Sequence, residues 1–297
     1  MANYITSFSS ITAYDEAKNS LDYPNVSLIE NDSSLVYEKT YAPTPSYSAQ
    51  YLTFVAQEDG QFMIDEYAPD DYIQYSLDSG TTWVELAKDT YSPTVSSGNT
   101  IMWKAEYEPG SDGCGTFKST GNFIVEGNVM SLLYGDNFSG QTSLPEYGAG
   151  FRYLFNNCTG LTSAENLVLP VTTLTEQCYE SMFNGCGWLK TAPELPATTL
   201  AYSCYQNMFS YCEDLTTAPE LPATTLADSC YFEMFKECPS LNYIKCLATD
   251  ISASDCTYNW VGGVPSGGTF VKNPNMSSWT TDENGIPDGW TVEDATS

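Results

Sequence analysis

The residues of this chain whose type and spacing could do chemistry are its cysteines. Cys178, Cys204, Cys230 and Cys256 recur at a 26-residue period. Cys158, Cys186, Cys212 and Cys238 form a second series with a longer first interval. If successive repeats stack at the strand spacing of roughly 5 Å, neighbours in a series come within reach of metal or disulfide chemistry. Two features favour a plainer role. Structural zinc wants cysteines paired at short spacing, and none are. Nine of the ten cysteines also lie in the repeat half, at repeat positions or close by, which suits small buried hydrophobes with free thiols rather than the staples of a small secreted fold. No metal and no cofactor are expected.

Composition narrows the remaining chemistry. The chain has no histidine, and Arg152 is its only arginine. That removes Ser-His-Asp and Cys-His catalysis, His-ligated zinc, and any arginine clamp for a carboxylate or phosphate. A glycosidase pair of carboxylates stays chemically possible. With 38 acidic residues such pairs arise by chance and none stands out, so no catalytic residue is assigned and an enzyme is not expected. The formal charge of -28 repels phosphate backbones and anionic headgroups, so neither nucleic acid nor membrane is expected as a partner. Asp282-Glu283-Asn284-Gly285 and Asp288-Gly289 suggest calcium, but their spacing departs from an EF-hand loop and tight turns explain both.

The elements that would position these residues follow from the repeat. The module Cys-Tyr-x-x-Met-Phe-x-x-Cys-x-x-Leu starts at Cys178, Cys204 and Cys230, with a degenerate copy from Leu154 and a partial one at Cys256. A constant period of this size signals a solenoid whose coils bury apolar faces against their neighbours. Tyr179, Met182, Phe183 and Cys186 fall at i, i+3, i+4 and i+7, which predicts one face of a two-turn helix. Leu189, Ala192 and Leu195, among Pro193 and Pro196, predict a short extended segment. One short strand and one short helix per coil is the leucine-rich-repeat plan, expected over residues 135–260. Glycine pairs 262–263 and 267–268, with Trp279 and Trp290, predict a β-structured cap over 261–297. The interval from Phe155 to Phe183 is 28 residues, so two extra residues enter near Ala164 to Val168, as befits an atypical first coil. Phe183, Phe209, Phe235, Cys186, Cys212 and Cys238 are expected in the core. Positions that vary between coils should face solvent. Among them Trp188 and Tyr211 near Asp214 form a candidate ligand-binding set, because an aromatic beside a carboxylate can stack on a sugar face and bond its hydroxyls.

Upstream, residues 48–134 change to period 2. The runs 51–55, 61–64, 72–77, 82–86, 100–107, 115–118 and 122–133 predict about seven short strands in an antiparallel β-sandwich. Ser76-Leu77-Asp78-Ser79-Gly80-Thr81-Thr82-Trp83 resembles the Asp-box of sialidases and other β-proteins. The resemblance implies a hairpin turn in which Asp78 bonds to backbone and Trp83 packs beneath, a structural role. Sialidases hold their substrate's carboxylate with three arginines, and this chain has one.

Residues 1–47 have their own character. Thr12 and Asp15 read as a capping box before a short helix over Ala13 to Leu21, ended by Pro24, with extended pieces at Val26, Leu28 and Leu35 to Tyr37. Tyr4, Ile5, Phe8, Ile11, Tyr14, Leu21 and Tyr23 are too many apolar residues for a solvated tail and too few for a domain. They are expected to dock, either on a partner or on the chain itself. Met1 to Thr12 lacks the charge and apolar stretch of an export signal, so a full-length chain is not expected to take the ordinary secretory route, and its free thiols suit synthesis in a reducing cytoplasm.

The elements M-F-x-x-C-x-x-L and L-P-x-T-x-L resemble the BspA-like leucine-rich repeats of surface proteins of gut Bacteroidetes and of their phages, over roughly Gly135 to Glu293. Tyr14-Asp15-Glu16-Ala17-Lys18 and Tyr23-Pro24-Asn25-Val26-Ser27-Leu28 resemble N-terminal arms of structural proteins from crAss-like phages. The resemblance implies a mixed architecture of docking arm, all-β sandwich, leucine-rich-repeat solenoid and β cap. It further implies a virion protein, most simply a head fibre on the capsid surface. Its arm would dock on a capsid or other virion protein, and its repeats would adhere weakly and multivalently to a host surface glycan or protein. Such fibres are commonly homo-oligomers, so a dimer or trimer is expected. The alternatives are a phage tail fibre, a bacterial surface adhesin with its signal peptide removed, and, least favoured, a two-carboxylate glycosidase.

Overall fold

Each of the seven period-2 runs overlaps a strand in the computed structural model, which describes residues 5–7, 26–31, 34–39, 47–65, 72–108, 113–144 and 150–296. Met1–Ser46 and Tyr47–Ser297 form two compact units. In the first, β1 (Ile5–Ser7), β2 (Val26–Asn31) and β3 (Ser34–Lys39) make an antiparallel sheet in the order β1-β3-β2. The extended pieces read at Val26, Leu28 and Leu35 to Tyr37 fall on β2 and β3. The helix expected at Ala13 to Leu21 and the docking residues Tyr4, Phe8, Ile11, Tyr14, Leu21 and Tyr23 lie outside the described residues.

The second unit begins with β4 (Leu52–Ala56), β5 (Phe62–Ile64), β6 (Tyr72–Ser76), β7 (Val84–Ala87), β8 (Thr100–Lys104), β9 (Phe117–Ser119) and β10 (Phe123–Asn128). Alternation along β4, β8 and β10 turns Phe54, Trp103 and Phe123 inward, and the β5–β9 pair closes over them with Phe62 and Phe117. Phe54 is the hub, with ring centroids 4.8 to 5.9 Å from Phe62, Trp103, Phe117, Phe123 and Phe155. The large sheet does not stop where the period-2 pattern stops. Its order is β11-β10-β4-β8-β6-β7, and β11 (Leu161–Val168) belongs to the repeat half and pairs in parallel with β10.

The turn from β6 to β7 is built as its sequence implied. Asp78 Oδ1 accepts from the Thr82 backbone N–H and the Ser76 hydroxyl, both at 2.8 Å, and Oδ2 accepts from the Thr82 hydroxyl. Those bonds, the Thr82 backbone first, hold the Asp78 carboxyl below its ordinary pKa. Trp83 packs edge-on against Tyr51 at 4.8 Å.

The expected strand-plus-helix coil is not what the repeats form, and the leucine-rich-repeat plan is overturned. From Gln177 to Cys186 the chain runs through successive four-residue turns. The N–H groups of 180, 182, 184 and 186 donate to the carbonyl three residues back, while those of 177, 179, 181, 183 and 185 donate to the next coil, at Tyr202, Cys204, Gln206, Met208 and Ser210. Gln177, Ser181 and Gly185 adopt left-handed backbone, as do Ser203, Asn207 and Tyr211, then Ser229, Glu233 and Glu237. The buried pairs 178–179 and 182–183, with 186, therefore repeat every four residues rather than every 3.6. Over two turns the periods differ by only about 80°, inside the width of an apolar helix stripe, so i, i+3, i+4, i+7 fits both. Coil stacking decides between them. An α-helix keeps its backbone bonds to itself, whereas alternate turns leave every second N–H free to bond the neighbouring coil.

Two columns of rings run through the stack. Phe155, Phe183, Phe209 and Phe235 stack at 5.4 to 5.7 Å, and Phe151, Tyr179, Tyr205 and Tyr231 at 5.8 to 6.2 Å. Where the repeat would next supply Tyr and Phe the sequence has Thr257 and Val261, and Trp260 closes both columns instead, 6.1 Å from Tyr231 and from Phe235. β12 (Tyr243–Cys246), β13 (Thr269–Lys272) and β14 (Thr291–Asp294) form a parallel sheet.

The cysteines are all buried and free. The thiols of Cys186, Cys212 and Cys238 donate to the carbonyls of Phe155, Phe183 and Phe209 in the preceding coil, at 3.0 to 3.2 Å. A residue there must be small, apolar in bulk and able to donate weakly, which describes cysteine. Burial raises the thiols of Cys158, Cys178, Cys238 and Cys246 to about 12, far from reactive thiolate.

Candidate ligand-binding groove

The two extra residues of the first coil have a visible consequence. Phe123 pairs with Leu161, Ile124 with Ser163 and Glu126 with Asn166, so β11 gains one residue on β10 at each of two register shifts. The bulges fall at Thr162, just ahead of the interval read from the spacing, and within Ala164–Glu165, at its start. Bulges bend a strand and re-aim its side chains, and they gather at functional edges.

Here they open a groove of about 440 Å³ on the seam between the large sheet and the first coils. Its floor is Thr162, Ser163 and Glu165 of β11. Gln57 and Asn122 form one wall, and Trp188, Lys190, Thr191 and Asp214 the other. The Thr162 hydroxyl lies 2.7 Å from Gln57 Oε1, and the Ser163 and Thr191 hydroxyls bond each other. Backbone bonds from Lys190 to the Thr162 carbonyl and from Ala164 to the Thr191 carbonyl lock the coil to β11. The outer wall is thereby fixed relative to the floor.

Trp188 and Asp214 come together because they hold the same position in consecutive coils, one repeat period apart. Trp188 is 54% exposed. Tyr211 is 47% exposed but lines no part of the groove, since it occupies the left-handed corner that Gly185 fills one coil earlier. Sequence reasoning missed Gln57, Thr162, Glu165 and Lys190. The 28-residue interval was the available signal for Thr162 and Glu165, while Gln57 and Lys190 depend on the β10–β11 pairing. Lys190 makes no ion pair among the described residues.

A second depression of about 260 Å³ continues along β11. It shares Glu165 with the first and is bounded by Tyr47, Val168, Glu194 and Pro196. The Tyr47 hydroxyl has a raised pKa, through partial burial first and then the negative charge of Glu126 and Glu165.

Elsewhere the chemistry is inward-looking. The sole arginine, Arg152, holds buried Glu180 at 2.8 Å and lies over the Tyr153 ring at 4.6 Å. A larger depression of about 550 Å³ is lined by Tyr72, Gln74, Lys104, Glu106 and Asp136. Its polar groups engage one another: Lys104 Nζ is 2.6 Å from Asp136 and 4.4 Å over Trp83, and the Tyr51 hydroxyl donates to Asp136. Among the described residues no three Cys, Asp or Glu come together to hold a metal ion, and no helix is long and apolar enough to cross a membrane.

An exposed indole beside hydroxyls, amides, carboxylates and an ammonium, on a rigid floor, can stack on the apolar face of a pyranose and bond its rim. No family profile, curated protein or solved structure matches this chain, so the chemistry of the groove stands on its own residues.

Proposed function

We propose that this protein is a virion structural protein of a tailed phage, a capsid-attached head fibre whose repeat half presents a groove for host surface glycan. The observation that carries the binding part is the groove itself, with Trp188 standing exposed beside Asp214, Lys190 and the bulged residues of β11. The virion part is supported by the resemblance of the N-terminal segment to arms of phage structural proteins, and of the repeat sequence to repeats shared by gut Bacteroidetes surface proteins and proteins of their phages. The mechanism is avidity. A single stacked indole with a few hydrogen bonds gives weak binding, and many copies on one particle raise the residence time near a cell by orders of magnitude. The protein acts by binding and positioning, with no reaction assigned to it.

The test is particle adsorption with antibody labelling. Particles carrying the Trp188→Ala protein should label around the head like the wild type and adsorb to host cells more weakly. Label at the tail refutes the head position. Label on bacterial cells and none on particles refutes the virion role and favours a surface adhesin. Unchanged adsorption refutes the glycan-binding role.

A further inference from the structure

The two depressions along β11 meet at Glu165, and each ends on an aromatic residue: Trp188 at one end, Tyr47 at the other. Between them runs an eight-residue strand that, with its two bulges, spans six residues of β10, roughly 17 Å at the usual rise per residue. That length exceeds any single sugar and suits several linked rings. Every part of this floor depends on the two bulges, since the regular coils that follow lack the inserted residues and show aspartate or serine where Trp188 stands, at Asp214 and Ser240.

The charge along the channel is one-sided. Glu165, Glu194 and Asp214 line it against the single ammonium of Lys190, and the field at the Tyr47 hydroxyl is negative. The whole chain adds to that sign with a formal charge of -28. A polymer bearing a carboxylate on each ring would meet repulsion along the full length, whereas an uncharged chain can offer hydroxyl donors to the same carboxylates.

Building on the glycan-binding reading, we propose that the groove is an extended cleft for the interior of a linear, neutral polysaccharide, with Trp188 and Tyr47 as stacking platforms at its two ends. Binding strength then grows with chain length until both platforms are covered. Acidic polymers of the uronic-acid class are excluded by charge.

The experiment uses the full chain in native gels containing mannan, xylan, mixed-linkage glucan or polygalacturonate, followed by titration with di- to hexasaccharides of whichever neutral polymer retards it. At least one neutral polymer should retard the protein and polygalacturonate should not. Affinity should rise about tenfold or more from disaccharide to hexasaccharide, a difference a second stacked ring can supply. Trp188→Ala should weaken both ends of the series, and Tyr47→Ala should weaken only the longer oligomers. Equal affinity for short and long oligomers, no effect of Tyr47→Ala, or preference for polygalacturonate overturns the extended neutral cleft while leaving glycan binding intact. Retardation by no polymer, or retardation indifferent to Trp188→Ala, overturns the glycan-binding reading and this inference with it.

Discussion

Comparing glycine with alanine at position 211 distinguishes the turn ladder from a helix by the sign of one number. Tyr211 has φ 60°, and the matching corners of other coils are Gly185 at φ 72°, Glu237 at φ 56° and Gly263 at φ 81°. A left-handed L-residue costs roughly 1–2 kcal/mol relative to its right-handed form. Glycine removes that cost and gives back about 0.5–1 kcal/mol as extra entropy of the unfolded chain. Tyr211→Gly should therefore be more stable than Tyr211→Ala by about 0.5–1 kcal/mol, the loss of the tyrosine ring being common to both. In a helix interior the order reverses, alanine being favoured by about 1 kcal/mol. The two geometries are thus separated by about 2 kcal/mol, or several degrees in Tm for a unit of this size. Urea denaturation with unchanged slope is a suitable assay, and repeating the pair at Glu237 should give the same sign. Alanine more stable than glycine at both positions would refute the left-handed corners and restore the helical coil.

Phe209→Ala should cost about 3–5 kcal/mol, because it empties the middle of the ring column between Phe183 and Phe235; a loss below about 1 kcal/mol in urea denaturation would mean the column is not packed. Arg152→Met should cost about 3 kcal/mol by leaving buried Glu180 without its guanidinium, and Arg152→Met combined with Glu180→Leu should recover most of it; additive losses in that double-mutant cycle would contradict the pairing. The buried thiols make the fold sensitive to alkali. Their folded pKa values, about 12 for Cys158, Cys178, Cys238 and Cys246, lie above the unfolded value near 9. Their stabilising contribution is therefore complete below about pH 8.5 and withdrawn as pH rises toward about 12, by about 1.4 kcal/mol per pH unit for each thiol. A urea midpoint that is flat from pH 6 to 8 and falls steeply above 9 is expected, and a midpoint unchanged at pH 10.5 would contradict their burial.

Much was legible in the sequence because it is local or periodic. The constant repeat, the burial of Phe183, Phe209, Phe235 and their cysteine partners, the seven strands of residues 48–134 and the Asp78 turn each follow from residue type and spacing within a short window. The two-residue excess in the first interval was also visible, and it marks the bulges of β11. What the sequence left open is what depends on contact between distant segments. The spacing i, i+3, i+4, i+7 fits a helix and a tetrad of turns alike, and only the hydrogen bonds offered by the next coil select the turns. The end of the period-2 pattern reads as a domain boundary, yet β10 completes its backbone bonding on β11 across it, since an open sheet edge and an uncovered first coil each supply what the other lacks. The groove exists only through that union. Trp188 and Asp214 were readable as neighbours from the period, whereas Gln57, Thr162, Glu165, Lys190 and Tyr47 join them because the sheet and the coils share one floor.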